Sequence, residues 1–329
     1  MSIQLHKETP RANAATVAIV GNLNLDIRTS PILNSDAILK DGETSIDEIY
    51  ESVGGGGANT ATAVALMGGL AHFCCAIGDD ELGKRLCRFM EGIGVRVHAA
   101  IKPVATGRSV ALTWNNHQRH FVSSLPNTRL LDELDIDLEA LRNMGCRHLY
   151  RADPWFSDRM FPLGNSALLR RAREIGMETS LDINWDPKWS HERNVKMNEV
   201  QERISWLKSA LPYVSFVHGN DRELAFFTGV QSAEECARQL MEWGAGAVIV
   251  HRGARGCAAA TDGDWIEVAA GPIAKIVNEA GTGDVFTAAF LLGVDLPLED
   301  RLRRSASAAE GHVQGIVNYI PRLGDRIYS

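Results

Sequence analysis

The sequence predicts an α/β fold: a central, mostly parallel sheet with helices on both faces, and a small β-sheet lid beside it. Three observations carry that prediction. Between residues 147 and 260 short apolar runs alternate with helical periods, as parallel strands joined by crossover helices do. The run Thr16–Val20 ends at Gly21 and places Asn22, Asn24 and Asp26 where a buried strand would deliver them to a ligand. Two segments, around 28–53 and 106–124, have short polar or alternating runs without helical period, and these are assigned to the lid. The expected division is a core of residues 15–27, 52–105 and 125–329, a lid of 28–51 and 106–124, and a loose N-terminal tail of 1–14.

The 329-residue chain is 45% hydrophobic and 23% charged, enough for one large α/β domain, or one domain with a small appendage, and an ample core. Its formal net charge of −7 argues against a nucleic-acid or anionic-membrane surface, so an anionic substrate needs a local site. Cysteines 74, 75, 87, 146, 236 and 257 show neither C-x-x-C nor Cys/His ligand spacing, and read as reduced, mostly buried thiols of a cytoplasmic protein. His117 and His120 are three apart, on opposite faces of a strand, which argues against a metal site. Residues 1–15 lack the apolar core of a signal peptide, and no run approaches the length of a membrane span.

Asn24 and Asp26 are two apart, so both point to one side if the chain stays extended there; the other reading is turn residues bonding their own backbone. Gly54-Gly55-Gly56-Gly57-Ala58-Asn59 runs into an alanine-rich helix expected over 60–67. Four glycines cost chain entropy, and make sense where backbone must approach a small ligand, with Asn59 offering an amide; a flexible linker is the alternative. A strand follows over 72–77. Gly78-Asp79-Asp80-Glu81-Leu82-Gly83-Lys84 nearly matches a P-loop, but Arg85 replaces the hydroxyl that Mg²⁺ needs, and three carboxylates would face the phosphates. Leu82, Leu86, Phe89, Met90 and Ile93 instead repeat at helical spacing, in a helix that stops at Gly92 and Gly94. Runs at 109–114 and 119–122 flank Asn115-Asn116 as a hairpin. Strands over 147–150, 179–183, 214–218 and Ala247–His251 then alternate with helices over 166–175, 200–210 and 233–243. The polar clusters Asp182-Ile183-Asn184-Trp185-Asp186 and Asn220-Asp221-Arg222-Glu223 end two of these strands, and each taken singly reads as a cap or turn.

The chemistry concentrates at Ala280-Gly281-Thr282-Gly283-Asp284, between a strand-like run over 274–278 and a helix-like run over 285–294. Glycines let the backbone turn so that successive N–H groups face one anion, and the helix start adds its dipole. Asp284 puts a carboxylate beside that anion, which serves a hydroxyl that must lose a proton as it attacks phosphorus. Its alternative is a helix cap.

In this order the motifs resemble the ribokinase-like sugar kinases, the minor phosphofructokinase family, over about residues 17–313. The resemblance implies a ribokinase-like three-layer sandwich with a β-sheet lid. It makes Asp284 the catalytic base, with Gly281, Thr282 and Gly283 as the anion hole. It places Asn24, Asp26, Gly54, Gly55, Gly56, Asn59 and Asp153 on the substrate side, with Gly56 where ribokinases often carry Lys. Asn220, Glu223, His251, Gly253, Gly256 and Ser307 fall on the nucleotide side, Glu223 toward Mg²⁺ through water. His251 stands where Thr or Lys is usual, Ser307 near a usual Asn, and the R-x-G-A ending is absent. ATP and Mg²⁺ are the implied cofactors. Asn278-Glu279-Ala280 replaces the D-T-T/V whose Asp helps hold a monovalent cation in relatives, which makes potassium activation doubtful. Asp186 replaces the Arg of a D-x-N-x-R-P stretch, which speaks mildly against a sugar acid. The expected function is ATP-dependent phosphorylation of a primary hydroxyl of a small sugar, in a cytoplasmic protein with no nucleic-acid or membrane partner. The lid often mediates dimerisation in the family, so a homodimer through it is one implied assembly. The alternatives are a nucleoside kinase and, given the departures at 251, 278–280 and 307, a catalytically silent sugar- or nucleotide-binding protein on the same fold.

Overall fold

The computed structural model describes residues 5–6, 15–33, 41–115, 118–186, 197–278, 280–325 and 327–328. In chain order its strands are β1 (Leu5–His6), β2 (Thr16–Val20), β3 (Asn24–Thr29), β4 (Ile49–Gly54), β5 (Leu70–Gly78), β6 (Arg96–Lys102), β7 (Arg108–Thr113), β8 (Arg119–Ser124), β9 (His148–Arg151), β10 (Glu178–Asp182), β11 (Phe216–Asn220), β12 (Ala247–His251), β13 (Cys257–Ala260), β14 (Trp265–Val268) and β15 (Ile327–Tyr328). Nine of them form one sheet in the order β14-β13-β12-β11-β10-β9-β2-β5-β6. Every neighbouring pair from β12 to β6 is parallel, and β13 and β14 add an antiparallel edge.

The apolar runs are continuous because both faces of this sheet are covered. In β2, Val17 and Ile19 enter one core, beneath the helices Gly56–Leu66 and Thr282–Leu291. Ala18 and Val20 enter the other, with Leu168, Leu207, Leu224 and Leu240 of the helices on the opposite face. β5 divides in the same way, Phe73 and Cys75 to the first core and Cys74 and Ala76 to the second. A third cluster, with Ile249, Cys257, Phe286, Phe290 and Leu302, packs the helices Thr282–Leu291 and Leu298–Val313 under the sheet's far end. All six cysteines are free, and all but Cys87 are buried. Among the described residues no helix is long and apolar enough to cross a membrane.

A separate four-stranded sheet has the order β4-β3-β7-β8, as the strand-like segments predicted. It takes in Asn24 and Gly54, so residues 24–27 and 52–54, expected in the core, belong to it. β8 is exposed along its whole length. Leu5–His6 pairs in parallel with Ile327–Tyr328, so part of the expected loose tail is held in a ladder.

Other expectations need correction. The run over 274–278 is no strand. Its N–H groups turn to the end of the last helix, with Val277 and Asn278 both donating to the Val313 carbonyl and Ala274 to Gln314 Oε1, while Ile276 and Val277 stay exposed. The glycine-rich helix starts at Gly56 rather than at 60, so two of the four glycines form its first turn. Gly92 lies inside the helix Glu81–Ile93, and only Gly94, with φ 106°, ends it. β6, where Arg, His and Lys interrupt the period of Val97 and Ile101, and β13, mostly alanine, carry a weak strand signal. Asn116 of the hairpin turn and His117 lie outside the described residues.

Candidate active site

The carboxyl ends of β2, β9 and β10, the amino ends of the helices Gly56–Leu66 and Thr282–Leu291, and strands β3 and β4 meet around Asp284. Gly281 turns the chain into its helix with φ 73°, and Asp284 stands in that helix's first turn. The capping alternative is not realised: Asn59 Nδ2 donates to Asp284 Oδ2 at 2.8 Å, joining the start of one helix to the start of the other. Although it keeps some surface exposure, Asp284 is packed round with protein atoms. That burial, then the negative charges of Asp153 and Glu223, lift its pKa from 3.8 to about 8, against the Asn59 hydrogen bond and the Arg28 charge.

Asp153, expected on the substrate side, is occupied by backbone. Its carboxylate accepts from the N–H groups of Asn22 (3.0 Å), Gly56 (3.2 Å) and Gly57 (2.9 Å), and from Asn184 Nδ2 (3.2 Å). Asp153 and Asn184 hold φ 53° and 47°, conformations that Asp and Asn tolerate better than most residues. The glycines are sterically required. A Cβ at Gly56 would lie 2.8 Å from Asp153 Oδ1 and 3.3 Å from Asp284 Oδ1, and one at Gly54 would lie 2.0 Å from Asp26 Oδ1. Gly55, with φ 104°, makes the turn between them.

Asn24 and Asp26 do point to one side, Asn24 Nδ2 donating to Asp26 Oδ1 at 2.7 Å. Arg28, next on that face, donates from Nη2 to Asp26 Oδ2 at 2.9 Å. Burial raises the Asp26 pKa despite this cation. Sequence reasoning passed over Arg28, although the two-residue period through 24 and 26 points to it.

On the other side of Asp284, the reading of Asn220 as a cap holds. Its Oδ1 accepts from the N–H groups of Arg222 and Glu223, and Glu223 Oε2 accepts from Asn220 N at 2.8 Å. Burial raises the Glu223 pKa. Asp182, which receives the Tyr150 hydroxyl at 3.0 Å, is pushed well up by burial and by the charges of Glu223 and Asp284. Among the described residues no three His, Cys, Asp or Glu side chains form a metal-holding group. Glu223 and Asp182 supply carboxylate oxygens beside one another, the donor type that suits a hard cation such as Mg²⁺.

His251 ends β12 with its ring 4.5 Å from Phe286, and its Nδ1 is 3.5 Å from where a Gly283 Cβ would be. Burial lowers its pKa to about 4, so the imidazole is neutral, with Nε2 buried and unpartnered. Gly253 and Gly256 form the turn into β13 with φ 55° and 88°. Ser307 is exposed on the last helix and lines a different hollow, with Met67, Ala289, Gly311 and Tyr319. The structure thus gathers Asp284, Asn59, Asp153 and Gly56, sets Asn24, Asp26 and Gly54 on one side and Glu223 and His251 on the other, and leaves Ser307 apart.

The family described as pfkB family carbohydrate kinase matches residues 14–315. The ribokinase of Arabidopsis thaliana is 26% identical over 336 residues, covering 97% of this chain and 81% of that protein. The cytidine kinase of Thermococcus kodakarensis is 26% identical over 76% of this chain and 84% of its own length. Among solved structures, the PfkB protein of Polaromonas sp. JS666 superposes with a TM-score of 0.74 at 19% identity, covering 93% of this chain and 98% of that one. The adenosine kinase of Sinorhizobium meliloti gives 0.71 at 19% identity over 92% and 94%. An E. coli structure holding ATP and Mg²⁺ gives 0.73 at 18% identity over 92% and 93%.

Proposed function

The chain belongs to the pfkB family of carbohydrate kinases, and from that premise we propose that it transfers the γ-phosphoryl group of ATP to a primary hydroxyl of a small, uncharged sugar. The observation that carries this reading is Asp284: a carboxylate on the first turn of a helix, behind a glycine turn, held by Asn59, with a pKa raised toward the working range of a general base. The sugar hydroxyl oxygen attacks the γ-phosphorus, its proton passes to Asp284, and ADP leaves. The N–H groups of residues 281–284 stabilise charge on the transferring group, the dominant electrostatic contribution in such chemistry. Asp26, Asn24, Asn59 and the glycine backbone hold the sugar, and the four-stranded sheet closes as a lid against water. Glu223, with Asp182 beside it, would hold Mg²⁺ through water, and that ion would supply neutralisation of the phosphate charge.

An uncharged acceptor is favoured because Arg28, a cation on the substrate side, is already paired with Asp26. Asp186, where an Arg would read a sugar acid, is itself paired with Arg203 at 2.6 Å. A nucleoside acceptor is the second reading, favoured by the likeness to a cytidine kinase and an adenosine kinase.

ADP release with MgATP and a panel of pentoses, hexoses, sugar acids, sugar phosphates and nucleosides tests the proposal. A neutral sugar should give the highest kcat/KM; a preferred nucleoside selects the second reading. A blank panel with calorimetric binding of a sugar or nucleotide would leave a silent binding protein. Gly54→Ala should raise the acceptor KM at least about tenfold through displacement of Asp26, with the ATP KM within about twofold, since it crowds only the sugar side. Equal rises in both constants would place Gly54 elsewhere in the mechanism.

A further inference from the structure

His312, on the last turn of the helix Leu298–Val313, is 1% exposed. Its Nε2 lies 2.9 Å from the carbonyl oxygen of Ala280, the residue just before Gly281. Its Nδ1 accepts from the N–H of Tyr319 at 3.4 Å. A carbonyl oxygen only accepts and a backbone N–H only donates, so donation to Ala280 puts a proton on Nε2 and the Tyr319 contact meets the Nδ1 lone pair, while the Val317 backbone also bonds the ring. Burial lowers the His312 pKa against the two backbone bonds to Ala280 and Val317. The same helix end receives Val277 N, Asn278 N and Asn278 Nδ2, and Ile320 sits behind Gly281, with Cγ1 2.9 Å from where a Cβ would be. The described residues before the glycine turn, 274–278, form no strand, and the turn is backed by the last helix and the segment that follows.

The Ala280 carbonyl and the Gly281 N–H belong to one planar trans peptide and point in opposite directions. Whatever holds that oxygen toward the back of the loop also aims that N–H toward the front. We propose that His312 is a positioning residue, which by donating to the Ala280 carbonyl and accepting from Tyr319 orients the 280–281 peptide so that the anion-hole N–H groups face the transferring phosphoryl. The proposal rests on the kinase reading for what the loop does, and on geometry alone for what His312 does to the loop. It touches neither substrate nor reacting atoms; its effect lies in loop orientation, where small misplacements are costly to rate.

The test compares wild type, His312→Leu and His312→Gln, whose amide N–H reaches about as far as Nε2. Steady-state kinetics and amide hydrogen exchange of residues 280–284 are measured together. His312→Leu should lower kcat at least about tenfold, leave the acceptor KM within about threefold, and speed exchange in the loop. His312→Gln should recover most of both. Should His312→Leu fail to melt cooperatively, His312→Met, which fills the same volume flexibly, replaces it. A folded apolar variant with wild-type kcat and wild-type loop exchange overturns the proposal, as does a Gln variant no better than the apolar one. Faster loop exchange in the apolar variant, beside a wild type that phosphorylates nothing in the panel, would keep the positioning role and remove the kinase reading.

Discussion

Asp284→Asn should cut kcat by at least about a hundredfold, the usual contribution of a positioned general base, in a protein that folds at least as well as wild type. The amide keeps the shape of the carboxyl and leaves the Asn59 contact in place, but it cannot take a proton. The stability expectation follows from linkage. Folded Asp284 has its pKa raised from 3.8 to about 8, so between those values the folded state holds a proton that the unfolded chain has lost. Its stabilising contribution is full below the unfolded value and is lost as pH rises through about 8. Above that the buried charge is unfavourable. Without nucleotide or Mg²⁺, the Asn variant should therefore melt about 2–5 °C above wild type at pH 8, with the gap closing as pH falls toward 4. The kcat/KM of wild type should rise with pH through about 8, since that constant reports the free enzyme's base. Wild-type turnover in the Asn variant would unseat Asp284 as the base. A melting gap independent of pH would show that its carboxylate is not buried as described.

Asp153→Ala should be the most destabilising of these substitutions, by about 4 kcal/mol or more, read as a fall in Tm of about 6 °C or more. The carboxylate accepts from three backbone N–H groups and from Asn184, and each buried donor left without a partner costs about 1–3 kcal/mol. Alanine is also poorly suited to the φ of 53° there. Turnover should be nearly lost as well, because the Gly56–Gly57 turn that Asp153 clamps carries Asn59 to Asp284. Asp153→Asn, which keeps one oxygen acceptor and tolerates the backbone, should fall between. An Ala variant that melts with wild type but binds the acceptor weakly would return Asp153 to the substrate-side role its position in the sequence suggested.

Several features were legible from sequence because their causes are local. Thr16–Val20 is a strand to the residue, since its unbroken apolar run can be buried on two faces at once. Asn24 and Asp26 share a side because extended chain repeats every two residues, and Gly281 turns into a helix because φ of 73° suits glycine. The P-loop-like stretch at 78–84 is a turn into a helix, as the spacing of Leu82, Leu86, Phe89, Met90 and Ile93 implied: Asp80 caps that helix, accepting from Gly83 N and from Thr106 N. Asn220 shows where local reading stops, because the same Asn-x-x-Glu spacing builds a capping box and also carries Glu223 to the site.

The remainder was decided by tertiary structure. Asp153 meets Asn22 across 131 residues, and Asn59 meets Asp284 across 225, because the parallel sheet brings the ends of non-consecutive strands to one edge. No local pattern records such a meeting. The same distant contacts bury Asp284 among Asp153, Glu223 and Arg28 and so set its pKa. They also turn 274–278, strand-like in composition, into a segment bonded to a helix end. Sequence by itself determined the strand Thr16–Val20, the shared side of Asn24 and Asp26, the glycine turn at Gly281 and the residue types that stand at the strand ends, since period and backbone preference act over a few residues. Only the tertiary structure decided which of those ends face one another, because desolvation and charge coupling act through space.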